Sequence, residues 1–254
     1  MKIDSNEAGT VLVTGGSRGI GAAAAWHCAQ RGWAVAVNYT NDRAAADRVV
    51  DRILASGGRA KAWQADVGDE AAVMRLYAAI DAELPPLRGL VNNAGVLDLP
   101  VRIDEITVAR LERMFRINVT GSFVCAREAI RRMSTRHGGH GGAIVNLSSA
   151  AARLGAPGQY VDYAASKGAI DVFTLGLARE VATEGIRVNA VRPGIIETDI
   201  HASGGDADRA QKMAPVVPMQ RTGSADEVAE AIVWLLSDAS SYTTGAIIDV
   251  TGGR

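Results

Sequence analysis

Cysteine is nearly missing from this chain: Cys28 and Cys125 are the two it has in 254 residues. Both fall in helix-like apolar stretches, which argues against a disulfide framework and for reduced, buried thiols in a cytoplasmic protein. An excess of charge is missing as well. The net charge is −1, so neither a nucleic-acid face nor an anionic-membrane face is expected. No apolar run approaches the roughly 20 residues of a membrane-spanning helix. Met1 to Gly9 is polar and carries two acids, unlike a secretory signal. Aromatic residues make up 5% while hydrophobic residues reach 48%, so the core has to be built from Ala, Val, Ile and Leu. Internal repeats, low-complexity tracts and interdomain linkers are also lacking, and residues 1–254 are expected to form a single domain.

What is present is an unbroken alternation of short β-branched runs and helical stretches from Val11 to Val250. Strands are expected near Val11–Val13, Ala34–Val37, Ala60–Ala65, Leu87–Val91, Ala143–Leu147, Ile186–Val191 and Gly245–Val250, with helices between them. Such alternation predicts an α/β fold, a doubly wound, mostly parallel sheet with helices on both faces. The pattern loosens over residues 195–222, which reads as a substrate loop or lid, or else as a mobile excursion. The tract Arg131 to Gly142 holds His137 and His140 among glycines. Two histidines with no third ligand make a solvated loop rather than a metal site.

The first strand breaks at Thr14-Gly15-Gly16-Ser17-Arg18-Gly19-Ile20-Gly21 and a helix follows. A glycine-rich turn between a strand and a helix lets backbone N–H groups and the helix amino end face a dinucleotide phosphate. Gly15, Ser17, Arg18, Gly19, Ile20 and Gly21 are therefore candidate cofactor contacts. The second strand ends at Asn38, Tyr39 and Thr40, which are candidate contacts too. An acidic residue there would hold a ribose 2′-hydroxyl. None stands there, and Asp42 further on reads as a helix cap. Arg18 and Arg43 suit a 2′-phosphate instead, so NADP(H) is favoured, with NAD(H) as the alternative. The fourth strand runs into Asn92-Asn93-Ala94-Gly95, where Asn93, Ala94 and Gly95 suit close approach to a ligand or a tight turn alone.

Tyr163 and Lys167 are four residues apart in a helical stretch and so share a face. A free tyrosine titrates near pH ~10, and a neighbouring cation would lower that value and let the phenol trade a proton near neutrality. Ser148 and Ser149 stand at the end of the fifth strand, where doubly wound sheets place ligand contacts. Asn118 falls within one long helical run, either bonding its own helix or pointing into a site.

In order along the chain, Thr14-Gly15-x-x-x-Gly19-x-Gly21, Asn92-Asn93-Ala94-Gly95, Asn118, Ser149, Tyr163-x-x-x-Lys167 and Pro193-Gly194 resemble the short-chain dehydrogenase/reductase family over essentially the full length. Within that family the chain is similar to the 3-oxoacyl-carrier-protein reductase and glucose dehydrogenase-like group. The resemblance implies a carbonyl/alcohol oxidoreductase in which Tyr163 is the acid/base, Ser149 holds the reacting oxygen, Lys167 lowers the tyrosine pKa and holds the nicotinamide ribose, and Asn118 positions a water. It also implies adenine contacts at Asp66 and Val67, nicotinamide contacts at Pro193, Gly194, Ile196 and Thr198, and a homotetramer. The Ser149–Tyr163 interval is one residue longer than that group's usual spacing, and an insertion between Arg153 and Gln159 would absorb it. Tyr160, with Ala164 four residues on, is not read as the acid.

The rival from another class is a non-catalytic NADP(H) sensor, which would typically lack the tyrosine or the lysine. An epimerase or dehydratase on this fold would usually need a longer substrate-binding portion. His201 in the loop is a solvated residue or a substrate contact. The substrate is a small carbonyl or alcohol whose identity these residues do not choose among sugar, ketoester, quinone or acyl thioester.

Overall fold

A computed structural model describes residues 9–198 and 209–254. Met1 to Ala8, His201, Asp206 and Asp208 lie outside the described residues, so the amino-terminal reading and the role of His201 are not addressed by it.

Seven strands form one sheet: β1 (Thr10–Val13), β2 (Ala34–Tyr39), β3 (Arg59–Gln64), β4 (Leu87–Asn92), β5 (Gly142–Leu147), β6 (Ile186–Pro193) and β7 (Ile247–Val250). The spatial order is β3-β2-β1-β4-β5-β6-β7, and every neighbouring pair is parallel. The strand–helix alternation dictates this, because parallel strands need a crossover and a helix supplies it. The fold is the doubly wound α/β architecture that the alternation predicts. Chain order reverses between β1 and β4, which opens a crevice at the carboxyl ends of those strands.

Successive strand residues face opposite sides of the sheet, and both sides are packed. Val11, Val13, Val35, Val37 and Val145 enter one core, with Ala24, Ala25 and Cys28 of α1 (Gly19–Gln30) and Ile53 of α2 (Arg43–Ala55). Val228, Ile232 and Leu235 of the helix Ala225–Leu236 complete that layer. Leu12, Ala36, Leu90 and Ile144 enter the other core. There they meet Val73, Leu76 and Ile80 of α3 (Glu70–Glu83) and, from further along the chain, Cys125 and Leu177. Both cysteines are buried free thiols, and burial pushes each of them up, Cys125 to about 12. No reactive thiolate is on offer at either position.

Helix α4 (Val108–Phe115) does not run straight into α5 (Gly121–Met133). A π-helical turn, Arg116–Thr120, separates them. The long helical run expected through Asn118 is present from Val108 to Met133, with the π turn inside it. A wider turn aims a side chain where regular α geometry would not. A short helix α6 (Ala151–Leu154) precedes α7 (Val161–Val181). Between them Gly155, Ala156 and Gly158 all take left-handed backbone angles (φ 71°, 44° and 69°). The stretch from Arg153 to Gln159 therefore makes an irregular turn, in the place where the extra residue of the Ser149–Tyr163 interval was expected.

Within residues 195–222, Ile196 bridges Gly223 and a helical turn covers Arg209–Met213. No helix among the described residues is long and apolar enough to cross a membrane.

Candidate active site

Because all seven strands run the same way, their carboxyl ends share one edge of the sheet. The expected site residues follow β1 (15–21), close β2 (38–40), and follow β3 (66–67), β4 (93–95), β5 (149) and β6 (194–198), in chain order. A cleft of about 200 Å³ lies at that edge, lined by Ile20, Asn93, Gly95, Ser149, Tyr163, Lys167, Pro193, Gly194, Ile196 and Thr198 among others. Ten of the expected contacts thus share one wall. Gly15, Ser17, Arg18, Gly19, Gly21, Asn38, Tyr39, Thr40, Asp66, Val67, Ala94 and Asn118 lie off that wall, along the adjoining strand ends and loops.

The glycine turn is shaped by close contacts. Gly15 and Gly19 have φ of 60° and 53°, a region that costs any side-chain-bearing residue strain. A Cβ at Gly21 would stand 2.3 Å from the Gly15 carbonyl oxygen and 2.5 Å from Asn93 Nδ2. Asn93 ties the turn down, donating from Nδ2 to the carbonyls of Thr14 (2.8 Å) and Gly15 (3.0 Å). Thr14 Oγ1 accepts from the amides of Asn93 and Ala94, both at 3.0 Å. Arg18 precedes α1 in extended conformation, and no side chain caps the helix amino end. Its first N–H groups are left facing the crevice, as an anion-binding turn requires. A dinucleotide diphosphate fits this cradle.

The Asn38 side chain is turned inward. It is 1% exposed, its Oδ1 accepts from the Gly15 amide (3.3 Å) and its Nδ2 donates to the Ala65 carbonyl (3.0 Å). It braces the glycine turn from inside rather than offering its side chain to a cofactor. Tyr39 is buried, whereas Thr40 and Arg18 are exposed. Asp42 caps α2 by accepting from the Ala45 amide (2.9 Å), as read from the sequence. Arg43 faces solvent and pairs with Asp47 (3.3 Å). No carboxylate among the described residues pairs with Arg18. Asp66 turns back on its own loop, accepting from the Gly68 amide (2.9 Å), and pairs with Arg116 (3.0 Å). Val67 is buried, packed where a side chain on Gly121 would clash with it at 2.9 Å.

On α7 the helical register brings Tyr163 and Lys167 to the cleft together, with Lys167 Nζ 5.6 Å from the tyrosine ring centroid. Lys167 is 5% exposed, and its Nζ donates to the Leu147 carbonyl at 2.6 Å. Burial pulls this ammonium down to about 8, against the opposing effect of Asp171 one turn on. Burial pushes the Tyr163 phenol up, and the neighbouring Ser149 hydroxyl works against that rise. The expected lowering of the phenol by Lys167 is therefore corrected. In the protein alone, the amine is committed to a strand-end carbonyl and the desolvation of the phenol dominates. Ser148 is buried and donates to the Lys167 carbonyl (3.3 Å), which leaves Ser149 as the serine beside the phenol.

Asn118, 1% exposed, pairs like a strand residue with Val96: its Oδ1 accepts from the Val96 amide (2.8 Å) and its Nδ2 donates to the Val96 carbonyl (3.0 Å). The side chain thus bonds the loop after β4 rather than the backbone of its own helix. A Cβ on Gly95 would lie 3.4 Å from Asn118 Oδ1 and 3.6 Å from Lys167 Nζ. The bare glycine thus leaves room for both polar atoms beside the site loop.

Two contributors were missed in the sequence. Arg110 grips Asp162, the residue before Tyr163, at 2.7 and 3.2 Å and donates to the Leu99 carbonyl at 2.6 Å. It pins the start of α7 to the loop after β4. The pair links residues 52 apart, and no local pattern announces it. Tyr160, set aside as the acid, lines the cleft together with Leu97, Leu154 and Arg254.

A dinucleotide cradle at the switch point of a parallel sheet, beside a buried lysine and a phenol, defines the nicotinamide-dependent oxidoreductase class. The family model described as Enoyl-(Acyl carrier protein) reductase matches residues 15–254, and the chain belongs to the short-chain dehydrogenase/reductase family. It is 56% identical over 243 residues to the uncharacterized oxidoreductase YgfF of Escherichia coli (strain K12), covering 96% of this chain and 98% of that one. It is 37% identical over 246 residues to the 3-oxoacyl-[acyl-carrier-protein] reductase FabG of Staphylococcus aureus (strain Mu50), covering 96% and 97%. The structure of a blue fluorescent protein from a metagenomic library, in complex with NADPH, superposes with a TM-score of 0.89 at 34% identity, covering 98% of this chain and 99% of that one. The chain is thus an NAD(P)-dependent oxidoreductase of that family.

The burial of Lys167 makes a prediction about stability. An unfolded lysine titrates near 10.5 and the folded one near about 8. Between these values the native chain holds fewer protons here than the unfolded chain, so stability rises with pH across that window. The variant Lys167→Met lacks this titration. The wild-type Tm minus the variant Tm should climb as pH is raised from about 8 towards about 10. A difference that stays flat over that range would reject the depressed lysine.

Proposed function

We propose that the protein interconverts a carbonyl and a secondary alcohol, with Tyr163 as proton donor and acceptor and NADP(H) as the preferred hydride carrier. The observation that supports this most is the joint placement of Tyr163, Ser149 and Lys167 on one wall of the cleft. When bound, the nicotinamide supplies or accepts the hydride. Every other part of the reaction falls to side chains.

In reduction, the Tyr163 hydroxyl gives its proton to the carbonyl oxygen, and in oxidation the phenolate takes the alcohol proton back. A phenol that burial holds protonated is ready to donate. Ser149 hydrogen-bonds the same oxygen and fixes its position relative to Tyr163. Lys167 holds the nicotinamide ribose, and with its amine near that ribose its positive charge would offset the burial of the phenol. Asn118 orders the Val96 segment and positions a water between Lys167 and solvent. Asn93, Ala94 and Gly95 border the nicotinamide ribose, Asp66 and Val67 the adenine, and Pro193, Gly194, Ile196 and Thr198 the nicotinamide amide. Thr198 stands over Gly19, where an added Cβ would meet it at 3.3 Å. Residues 195–222 would supply the substrate loop, and of those described Ile195, Ile196 and Thr198 line the cleft.

Two surface features support assembly into a homotetramer. Val108, Phe115 and Phe123 of α4 and α5 and Val172 and Leu175 of α7 are exposed apolar residues. On the far side, Trp234 and Tyr242 are exposed beside the last helix and strand. Exposed apolar surface of this kind marks contact faces. The reduced thiols and the lack of charge excess suit a cytoplasmic enzyme.

Three outcomes are expected. Tyr163→Phe keeps the ring and removes the proton, so turnover of any accepted carbonyl should fall by about 10²- to 10⁴-fold, read as nicotinamide absorbance with NADPH; near-normal turnover would reject the acid/base role. Wild-type kcat/KM should be higher with NADPH than with NADH, because Arg18 pairs with no carboxylate among the described residues and no acid closes β2; a clear NADH preference would overturn this. Light scattering should return four times the chain mass, and a monomer would count against the two apolar faces as contacts.

A further inference from the structure

The cleft wall is largely apolar, with Leu97, Leu154, Ile195 and Ile196 facing Tyr160 and Tyr163. Two charged side chains stand on it among the described residues, Lys167 and Arg254. Lys167 is buried and committed to the Leu147 carbonyl. Arg254 has no hydrogen-bond or ion-pair partner among the described residues. The surrounding arginines are all taken: Arg153 by Asp249 (2.6 Å), Arg192 by Asp171 (2.8 Å), and Arg221 by Glu227 (2.6 Å).

The tail is built to bring Arg254 there. Thr251 presses on the end of β6, where a Cβ on Gly194 would stand 2.7 Å from its Cα. Gly252 and Gly253 then take φ of 64° and 95°, two consecutive left-handed residues that turn the chain sharply. The Met219 amide donates to the Gly252 carbonyl at 3.1 Å. Side chains at 252 and 253 would strike Val217 (2.7 Å) and Pro218 (3.1 Å). The backbone before Arg254 is thus clasped on two sides, which fixes this residue at the cavity wall.

An unpartnered guanidinium on an apolar wall is a receptor for a planar oxyanion, which it binds through two parallel N–H donors. We propose that Arg254 receives a carboxylate of the substrate, so that the enzyme acts on oxo-acids in reduction and hydroxy acids in oxidation. This rests on the reading of the cleft as a carbonyl-reducing site and names its substrate class. The cavity, about 200 Å³, is shared by the nicotinamide end of the cofactor and the substrate, which favours a compact acid. The carboxylate stays bound to Arg254 and takes no part in the exchange. The hydride adds to the carbonyl carbon, and the Tyr163 proton goes to its oxygen.

The test pairs a chain-length series of linear oxo-acids with their methyl esters, assayed with NADPH on wild type, Arg254→Met and Arg254→Lys. Wild type should prefer the acid of at least one pair by about tenfold or more in kcat/KM. The acid-to-ester ratio should collapse towards one in Arg254→Met, and the lysine variant should keep part of it. In parallel, calorimetry measures binding of the matching hydroxy acids and their esters to protein saturated with NADP⁺. The same preference should appear there and vanish in Arg254→Met. If no acid is turned over or bound better than its ester, or if Arg254→Met keeps the preference, the proposal is overturned. Acid-selective binding lost in Arg254→Met without turnover of any carbonyl would sink the catalytic reading and uphold the anion site. Turnover without acid preference would do the reverse.

Discussion

Lys167 donates from Nζ to the Leu147 carbonyl at 2.6 Å, and the site is arranged around that bond. It joins α7 to the last residue of a central strand. The strand end is thereby fixed against α7, and Tyr163, one turn before Lys167, inherits its position. A buried ammonium is costly unless it is bonded, so the helix has little freedom to slide or rotate without breaking the contact. Ser148, on the residue after Leu147, answers with its own bond to the Lys167 carbonyl. Strand end and helix are stitched in both directions, and Ser149 is left beside the Tyr163 phenol.

The other side of the crevice is held in a similar way. Asn38, Asn93 and Thr14 commit their side chains to backbone groups of the glycine turn and its neighbour. They shape a loop whose working surface is main-chain N–H. An amide at such a position braces the cradle as effectively as it could touch a ligand, and the two uses look identical in a sequence. That is why the sequence marks Asn38 as a site residue without showing which of the two uses its side chain serves.

The strands and their order of use were legible because a sheet buried on both faces needs continuous apolar runs, and Val11–Val13, Ala34–Val37 and Ala143–Leu147 supply them. The Tyr163–Lys167 pair was legible because four residues make one helical turn. What escaped depends on distance in the chain. Arg110 meets Asp162 across 52 positions, and Arg254 arrives at the cleft through the conformation of two glycines rather than through any motif. The pKa of Tyr163 escaped for a different reason. Spacing shows that an amine is near but not which oxygen holds it, and Leu147 holds this one.

The π-turn at Arg116–Thr120 has a bearing on chain length. Each residue added to an α-helix rotates the rest of that helix by about 100°. The wide turn accommodates Asn118 facing Val96 while α5 beyond it still lays Cys125, Ala126 and Ala129 on the sheet. Deleting a single position between Phe115 and Gly121 would force a choice between those two alignments, and so would inserting one. This short stretch is therefore intolerant of any change in residue count, even where it tolerates a change in residue type. The polypeptide's arithmetic there is as much a part of the enzyme as its chemistry.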